Sequence, residues 1–307
     1  MTLPAGFTLR PLALEDVEAA YQVVVADHAS VLNEPDDSRE SIRAALTSPD
    51  SVWDEHRIVL DAEGTPVGLL AMEREGSSDR SFFDVYAVPA FKAQLLPTLL
   101  ELGFAAGKRI APGEVRSAGH LSDEALMSAF RDAGFTSIRR YWRMQRALRD
   151  VSGDEPVAPM GISKSIASSE RDRRLLHSMH VSGFAEHFGS TPTTYEEWSR
   201  WIDDRSDARH DQRWLVWLDG EAVAESIGDD SRAEIGHSYV RTLSVLKSAR
   251  GRGIARWLLE CHFAQAVRDG RTGTMLTVDA ENTTGATKLY ESVGMVPVQV
   301  IDVVARS

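Results

Sequence analysis

Apolar residues recur at helical spacing in three stretches of the second half of the chain. Residues 169–188 open on Ser169, a favourable N-cap, and set Leu175, Leu176, Met179, Gly183 and Phe184 along one face. Residues 254–267 align Ile254, Trp257, Leu258, Cys261 and Ala264, with Gly270 just beyond them. Residues 286–293 turn Ala286, Leu289, Tyr290 and Val293 inward, with Gly294 as C-cap. Between these helices lie runs of strand character. Residues 239–245 alternate, residues 274–278 are β-branched, and residues 297–304 read as a last strand. Residues 214–218 and 222–226 flank Asp219-Gly220, a pair that favours a tight hairpin turn. The order is strand, helical region, strands, helix, strand, helix, strand, which predicts a mixed α/β (α+β) fold.

The first half follows a similar pattern. Residues 58–68 (IVLDAEGTPVG) have the design of residues 215–225 (LVWLDGEAVAE): an apolar run, an acidic-Gly turn, then alternating Val. Residues 129–135 (AFRDAGF) likewise resemble residues 289–295 (LYESVGM). Two matches in the same order, at offsets of about 156 and 160, point to a duplicated domain. The expected join is the Gly, Pro and acid-rich stretch 150–159, giving domains 1–150 and 158–307. A length of 307 residues agrees with two domains.

Composition narrows the function. A net charge of −12 argues against nucleic-acid binding by bulk charge. The one cysteine excludes an internal disulfide and any Cys-based zinc site. His180 and His187 lack a third ligand pattern, so no metal is expected. Cys261 beside His262 is read as a small buried hydrophobe, because adjacent helical residues diverge. The nearest thing to a membrane span, residues 95–107, is short and carries Glu101. No secretory signal is expected, and the reading is of a cytoplasmic monomer or homodimer.

One segment departs from the acidic background. Lys247, Arg250, Arg252 and Arg256 place four positive charges in ten residues, interleaved with Gly251 and Gly253 and followed by the helix from Ile254. Glycines allow close approach of backbone to a ligand, and the first amides of a helix lack internal partners. Together they form a cradle for an anion. It is not a Walker loop, since no Gly-Lys-Ser/Thr follows, and the dinucleotide glycine spacing is absent.

The run Arg250, Gly251, Arg252, Gly253, Ile254, Ala255 resembles the Q/R-x-x-G-x-G/A signature of the GCN5-related N-acetyltransferase (GNAT) superfamily. The resemblance continues through Asp279, Asn282, Gly285, Leu289, Tyr290 and Gly294. It implies that residues 250–255 bind the pyrophosphate of acetyl-CoA. It also implies that Leu243, Ser244 and Val245 offer backbone contacts, that Asn282 meets the pantetheine arm, and that Tyr290 stands beside the thioester sulfur. A phenol of ordinary pKa ~10 is a proton donor at neutral pH, suited to a leaving thiolate. Many members carry a glutamate general base at a position that counts here to Tyr239; Glu225, Glu234 and His237 are the candidates left. Phe184, Glu186, His187, Phe188, Gly189, Trp198 and Trp201 lie where the family builds its acceptor pocket.

The same alignment, at an offset near 157, sets residues 250–255 over residues 93–98 (AQLLPT), where Pro97 interrupts. Phe130 stands for Tyr290, and Ser122 for Asn282. The first half is therefore expected to be a degenerate copy without cofactor machinery. The paired arrangement resembles the mycothiol synthase-like tandem acetyltransferases. It implies transfer of an acetyl group from acetyl-CoA to an amine, by default on a small molecule. A peptide N-terminus or lysine, a longer acyl group, and a non-catalytic acyl-CoA sensor or sequestering protein are the alternatives.

Overall fold

Two helices in the second half start where their sequence supplies a side-chain cap, and two start at a glycine without one. In the computed structural model, Ser169 Oγ accepts the Asp172 amide and Asp172 reaches back to the Ser169 amide, which opens α5 (Glu170–Phe184). Thr194 and Glu197 do the same for α6 (Tyr195–Asp203). The helix α7 (Ile254–Arg268) has no side-chain cap. The structure describes residues 3–32, 37–75, 78–185, 187–188, 193–282 and 285–307.

The chain divides into two units, Met1–Trp142 with Gln299–Ser307, and Arg143–Val298. The first contains β1 (Thr8–Pro11), α1 (Val17–His28), α2 (Arg39–Leu46), β2 (Arg57–Leu60), β3 (Pro66–Arg74), β4 (Ser81–Ala87), α3 (Lys92–Ile110), β5 (Val115–His120) and α4 (Glu124–Asp132). The strand β6 (Thr136–Ala147) belongs in part to each unit. The second unit holds β7 (Ile162–Ile166), α5, α6, β8 (Ala208–Leu218), β9 (Glu221–Asp229), β10 (His237–Val245), α7, β11 (Gly273–Asp279) and α8 (Ala286–Ser292), and β12 (Val296–Arg306) follows.

Strand pairing repeats between the units. β1 to β4 pair antiparallel in sequence order and β4 pairs parallel with β5. β7 to β10 pair antiparallel in sequence order and β10 pairs parallel with β11. A duplicated mixed α/β domain is thus visible in the topology. The last strand departs from the expected boundary at residue 307. Residues 301–306 of β12 pair antiparallel with residues 115–120 of β5, which assigns this segment to the first unit. The sequence pattern foretells a strand there but carries no information on its partner.

In both units the parallel pair comes apart. The β10–β11 ladder ends at Tyr239↔Met275, although the strands continue to Val245 and Asp279. The β4–β5 ladder ends at Phe83↔Ser117, with β4 continuing to Ala87 and β5 to His120. The first unit closes its own gap. Asp27 Oδ2 accepts the Ala87 amide at 2.8 Å, and Lys92 Nζ reaches Asp27 Oδ1 at 2.9 Å and Asp123 Oδ2. All three side chains are buried. Burial holds the Asp27 carboxyl above its ordinary value despite the pull of Lys92 and the Ala87 amide.

Removing the ammonium would strand two carboxylates in the interior. Lys92→Met should therefore lower stability by about 3–5 kcal/mol, read as a fall in the urea midpoint. An unchanged midpoint would show that the triad contributes nothing to the first unit.

Candidate active site

After β10 the second unit makes a 3₁₀ turn, Lys247–Ala249, and then four residues, Arg250, Gly251, Arg252 and Gly253, before α7 begins. In the first unit the corresponding turn, Pro89–Phe91, runs straight into α3 at Lys92. The offset between units rises across this point from 158 (247 − 89) to 162 (254 − 92). The glycine–arginine loop is an insertion with no counterpart. Aligning residues 93–98 with it was a register error, for those residues lie inside α3. Pro97 does not interrupt that helix either.

Gly251 and Gly253 adopt φ of 78° and 79°, left-handed backbone that a side chain resists, and nothing lies within 4 Å of a Cβ built on Gly251. Among the described residues, no acceptor engages the amides of residues 251–256; the first helical bond is Trp257 to Gly253. These donors, the positive end of the α7 dipole and exposed Arg252 face solvent together. Arg250 is tucked back, its Nε donating to the Val245 carbonyl at 3.1 Å. Arg256 stands apart from the cradle: it binds Ser292 O at 3.1 Å and Ser292 Oγ at 2.9 Å, tying α7 to the end of α8.

Topology gathers most of the expected site residues at one end of the parallel pair. Leu243, Ser244 and Val245 end β10, the loop follows, Asn282 lies just past β11, and Tyr290 is on α8. The Asn282 amide donates to the Asp279 carbonyl at 3.1 Å, within a turn in which Asp279 Oδ1 accepts the Glu281 amide. The helix α8 carries no fully buried residue, so the inward apolar face expected for it is only half-covered. Half-buried Tyr290 makes no hydrogen bond to a described residue, and desolvation pushes its phenol up to about 12. It stays protonated throughout the neutral range.

His237 is not brought to this end. It is the first residue of β10, beside Gly273, with Nε2 3.1 Å from Gln145 Nε2. Eight residues of strand put it roughly 26 Å from Val245. Glu234 is exposed in the turn before β10. Tyr239, where the family glutamate was sought, donates its hydroxyl to Thr277 Oγ1 at 2.9 Å, at the root of the gap between the strands.

Glu225 lies elsewhere. It sits opposite Ser244 in the β9–β10 register, fully buried beneath α5, and its Oε2 accepts from Thr242 Oγ1 at 2.8 Å. A Cβ on Gly183 would meet Ser244 at 2.3 Å, so α5 rests directly on β10 here. His180, three residues earlier on the same face, sets Nδ1 3.9 Å from Glu225 Oε1. Its ring packs against Phe184 at 4.7 Å and against Trp198 and Trp201 at 6.0 Å. The sequence raised His180 only as a metal ligand, a role set aside for want of a third ligand. Forty-five residues separate it from Glu225, and no local pattern joins them. Glu186 and Gly189 of the expected acceptor segment lie outside the described residues. Cys261 is fully buried with its thiol pushed up to about 12 by desolvation, and His262 stacks on Trp214 at 4.2 Å.

Residues 175–295 match the acetyltransferase (GNAT) family model, and the second unit therefore carries a GNAT domain. The whole chain has the fold of tandem GNAT proteins. It superposes on a GCN5-related N-acetyltransferase from Sphaerobacter thermophilus with a TM-score of 0.82, at 24% identity, covering 99% of this chain and 96% of that one. For a tandem GNAT protein from the clavulanic acid biosynthesis pathway the TM-score is 0.77, at 12% identity and 98% coverage of both. In sequence, the mycothiol acetyltransferase of Streptomyces griseus subsp. griseus is 28% identical over 199 residues, 62% of this chain. The match spans 59% of that relative's length. No helix among the described residues is long and apolar enough to cross a membrane.

The raised phenol gives a direct check. The ultraviolet difference between wild type and Tyr290→Phe should show phenolate forming near pH 12 and not near the ordinary 10. Because the folded value is raised, the stability that Tyr290 contributes is full below pH 10 and is lost as pH climbs toward 12. A difference spectrum that titrates near 10 would return Tyr290 to an ordinary surface phenol.

Proposed function

We propose that the second unit transfers an acetyl group from acetyl-CoA to a primary amine, and that the amine belongs to a small molecule. The observation that carries this reading is the parting of β10 from β11, which opens beside a loop of six unpartnered amides. An extended acyl-pantetheine arm suits the unpaired edge of a strand, and a pyrophosphate suits the amides of residues 251–256 with Arg250 and Arg252 beside them. A focused cradle is what a polyanion requires of a chain whose net charge is −12.

The roles of the remaining residues follow from the chemistry. Along β10 the Ser244 amide faces β9, as Leu246 does when it donates to the Val223 carbonyl, so the backbone amides of Leu243 and Val245 on the open edge are the donors available to the thioester carbonyl. Asn282, at the mouth of the gap, flanks the arm. Tyr290 holds a proton that it gives to the departing sulfur, and its desolvated, unpartnered hydroxyl supports that role. Glu225 lies on the acceptor side, under α5, and His237 serves packing at the far end of the strand. The name of the Streptomyces relative favours an amine on a small metabolite over a protein lysine. The first unit binds no second cofactor on this reading, because it lacks the loop and fills its own gap with Asp27, Lys92 and Asp123.

Calorimetric titration with acetyl-CoA should saturate at one equivalent per chain. Arg250→Ala and Gly253→Val should each weaken binding by about 1–3 kcal/mol. Two equivalents, or unchanged affinity in both variants, would refute the assignment. With an amine identified by mass spectrometry of acetylated products, Tyr290→Phe should cut kcat by roughly 10- to 10⁴-fold and leave acetyl-CoA affinity nearly unchanged.

A further inference from the structure

Two buried polar atoms face each other without partners beneath α5. Glu225 is 0% exposed; Oε2 is satisfied by Thr242, whereas Oε1 has no hydrogen-bond partner. His180 Nδ1 is equally buried and unpartnered, 3.9 Å away. That separation exceeds a hydrogen bond by about 1 Å, and neither atom has another group to turn to. Buried polar groups left unpaired in a native fold call for a reason. Pairs of this kind commonly tighten only when a substrate is in place.

The surroundings fix the imidazole in one orientation. Phe184 from its own helix and Trp198 and Trp201 from α6 pack around the ring. The other charged or titratable groups facing this spot are committed. His177, a turn earlier on α5, binds the Thr193 carbonyl at 2.9 Å. Arg241 of β10 is paired with Asp229 of β9 and lies over the Trp201 ring. Glu225 is the carboxylate within reach of Nδ1, while Nε2 makes no hydrogen bond to a described residue. Thr242, which anchors Glu225, flanks the register shift between Val240 and Thr242 on β10, the strand that parts from β11. The pair therefore stands about one strand spacing, ~4.8 Å, from the open edge.

We propose that His180 is the group that deprotonates the acceptor, with Glu225 as the positioning residue that holds Nδ1–H and leaves the Nε2 lone pair directed at the substrate. This rests on the acyl-transfer reading above. The acceptor class is a primary alkylamine that arrives as an ammonium of pKa ~10.4, drawn in by the buried carboxylate and the aromatic rings. The ammonium gives one proton to His180 Nε2, which becomes imidazolium beside Glu225. The freed nitrogen bonds to the thioester carbonyl carbon and the carbon–sulfur bond breaks. Tyr290 protonates the leaving sulfur and regains its proton from the second hydrogen that the nitrogen sheds. His180 returns its proton to solvent. The products are the amide, the free thiol and one released proton.

The test compares two small nucleophiles at neutral pH: ethylamine, which must lose a proton first, and hydroxylamine, which is already unprotonated. His180→Asn should slow acetyl transfer to ethylamine by about 10²-fold or more and transfer to hydroxylamine by less than about threefold. Glu225→Gln should show the same selectivity with a smaller loss. Acetyl-CoA titration of each variant reports whether the fold and cradle are intact, and His180→Gln supplies a second variant should the first misfold. Equal losses with both nucleophiles would assign His180 to packing and overturn the proposal. So would undiminished ethylamine transfer, or a wild-type protein that binds acetyl-CoA yet acetylates neither probe. Failure of wild type to bind acetyl-CoA would instead overturn the acyl-transfer reading, and this inference with it.

Discussion

Two parallel strands that separate before they end leave a row of backbone donors and acceptors without a ladder. Such groups demand partners, since a buried, unpaired amide costs about as much as a lost hydrogen bond. Both units face this constraint, at β4–β5 and at β10–β11, and they answer it differently. The first supplies partners from within: Asp27 takes the Ala87 amide, and Lys92 neutralises Asp27 and Asp123 in one buried cluster. The second leaves its edge open and adds four residues of glycine and arginine at the mouth. One unit closes its gap and the other leaves it open, although their strand pairing is the same.

The face of β10 opposite α7 is covered by α5. Gly183 lets α5 settle on Ser244, and the same helical face then delivers His180 to Glu225. The cradle and the imidazole–carboxylate pair thus share β10 as their common support. Leu243 and Val245 pack toward the cluster that includes Ile254, Trp257 and Leu258, while Thr242 and Ser244 meet the α5 side. Alternation along one strand thus turns Leu243 and Val245 to the α7 face and Thr242 and Ser244 to the α5 face.

How much of this the sequence discloses depends on the range of the interaction. Local rules were legible: the Ser169 cap, the Asp219-Gly220 hairpin, the helix at Ile254 and the helix bearing Tyr290 all stand within a residue or a few of where spacing puts them. The loop was legible because glycine and arginine in that order have few other uses before a helix. Three things were not. The register between the halves slipped, because the loop is itself an insertion and a constant offset cannot cross it. The strand 297–304 was visible, but its pairing with β5 depends on residues some 180 positions away. His180 and Glu225 meet only through the packing of α5 on β9 and β10, which no periodicity encodes.

The seating of β12 has a consequence for how the protein is made. A ribosome delivers the first unit's strands β1 to β5 early, yet the strand that covers β5 emerges some 180 residues later, after β7 to β11. Until residue 306 has left the exit tunnel, the β5 edge stays open, an adhesive surface that invites pairing with another chain. The second unit meets no such delay, since all of its strands from β7 to β11 precede β12. Biosynthesis should therefore let the strands of the second unit assemble before the sheet of the first unit is complete, so the older sequence in the polypeptide becomes the younger fold.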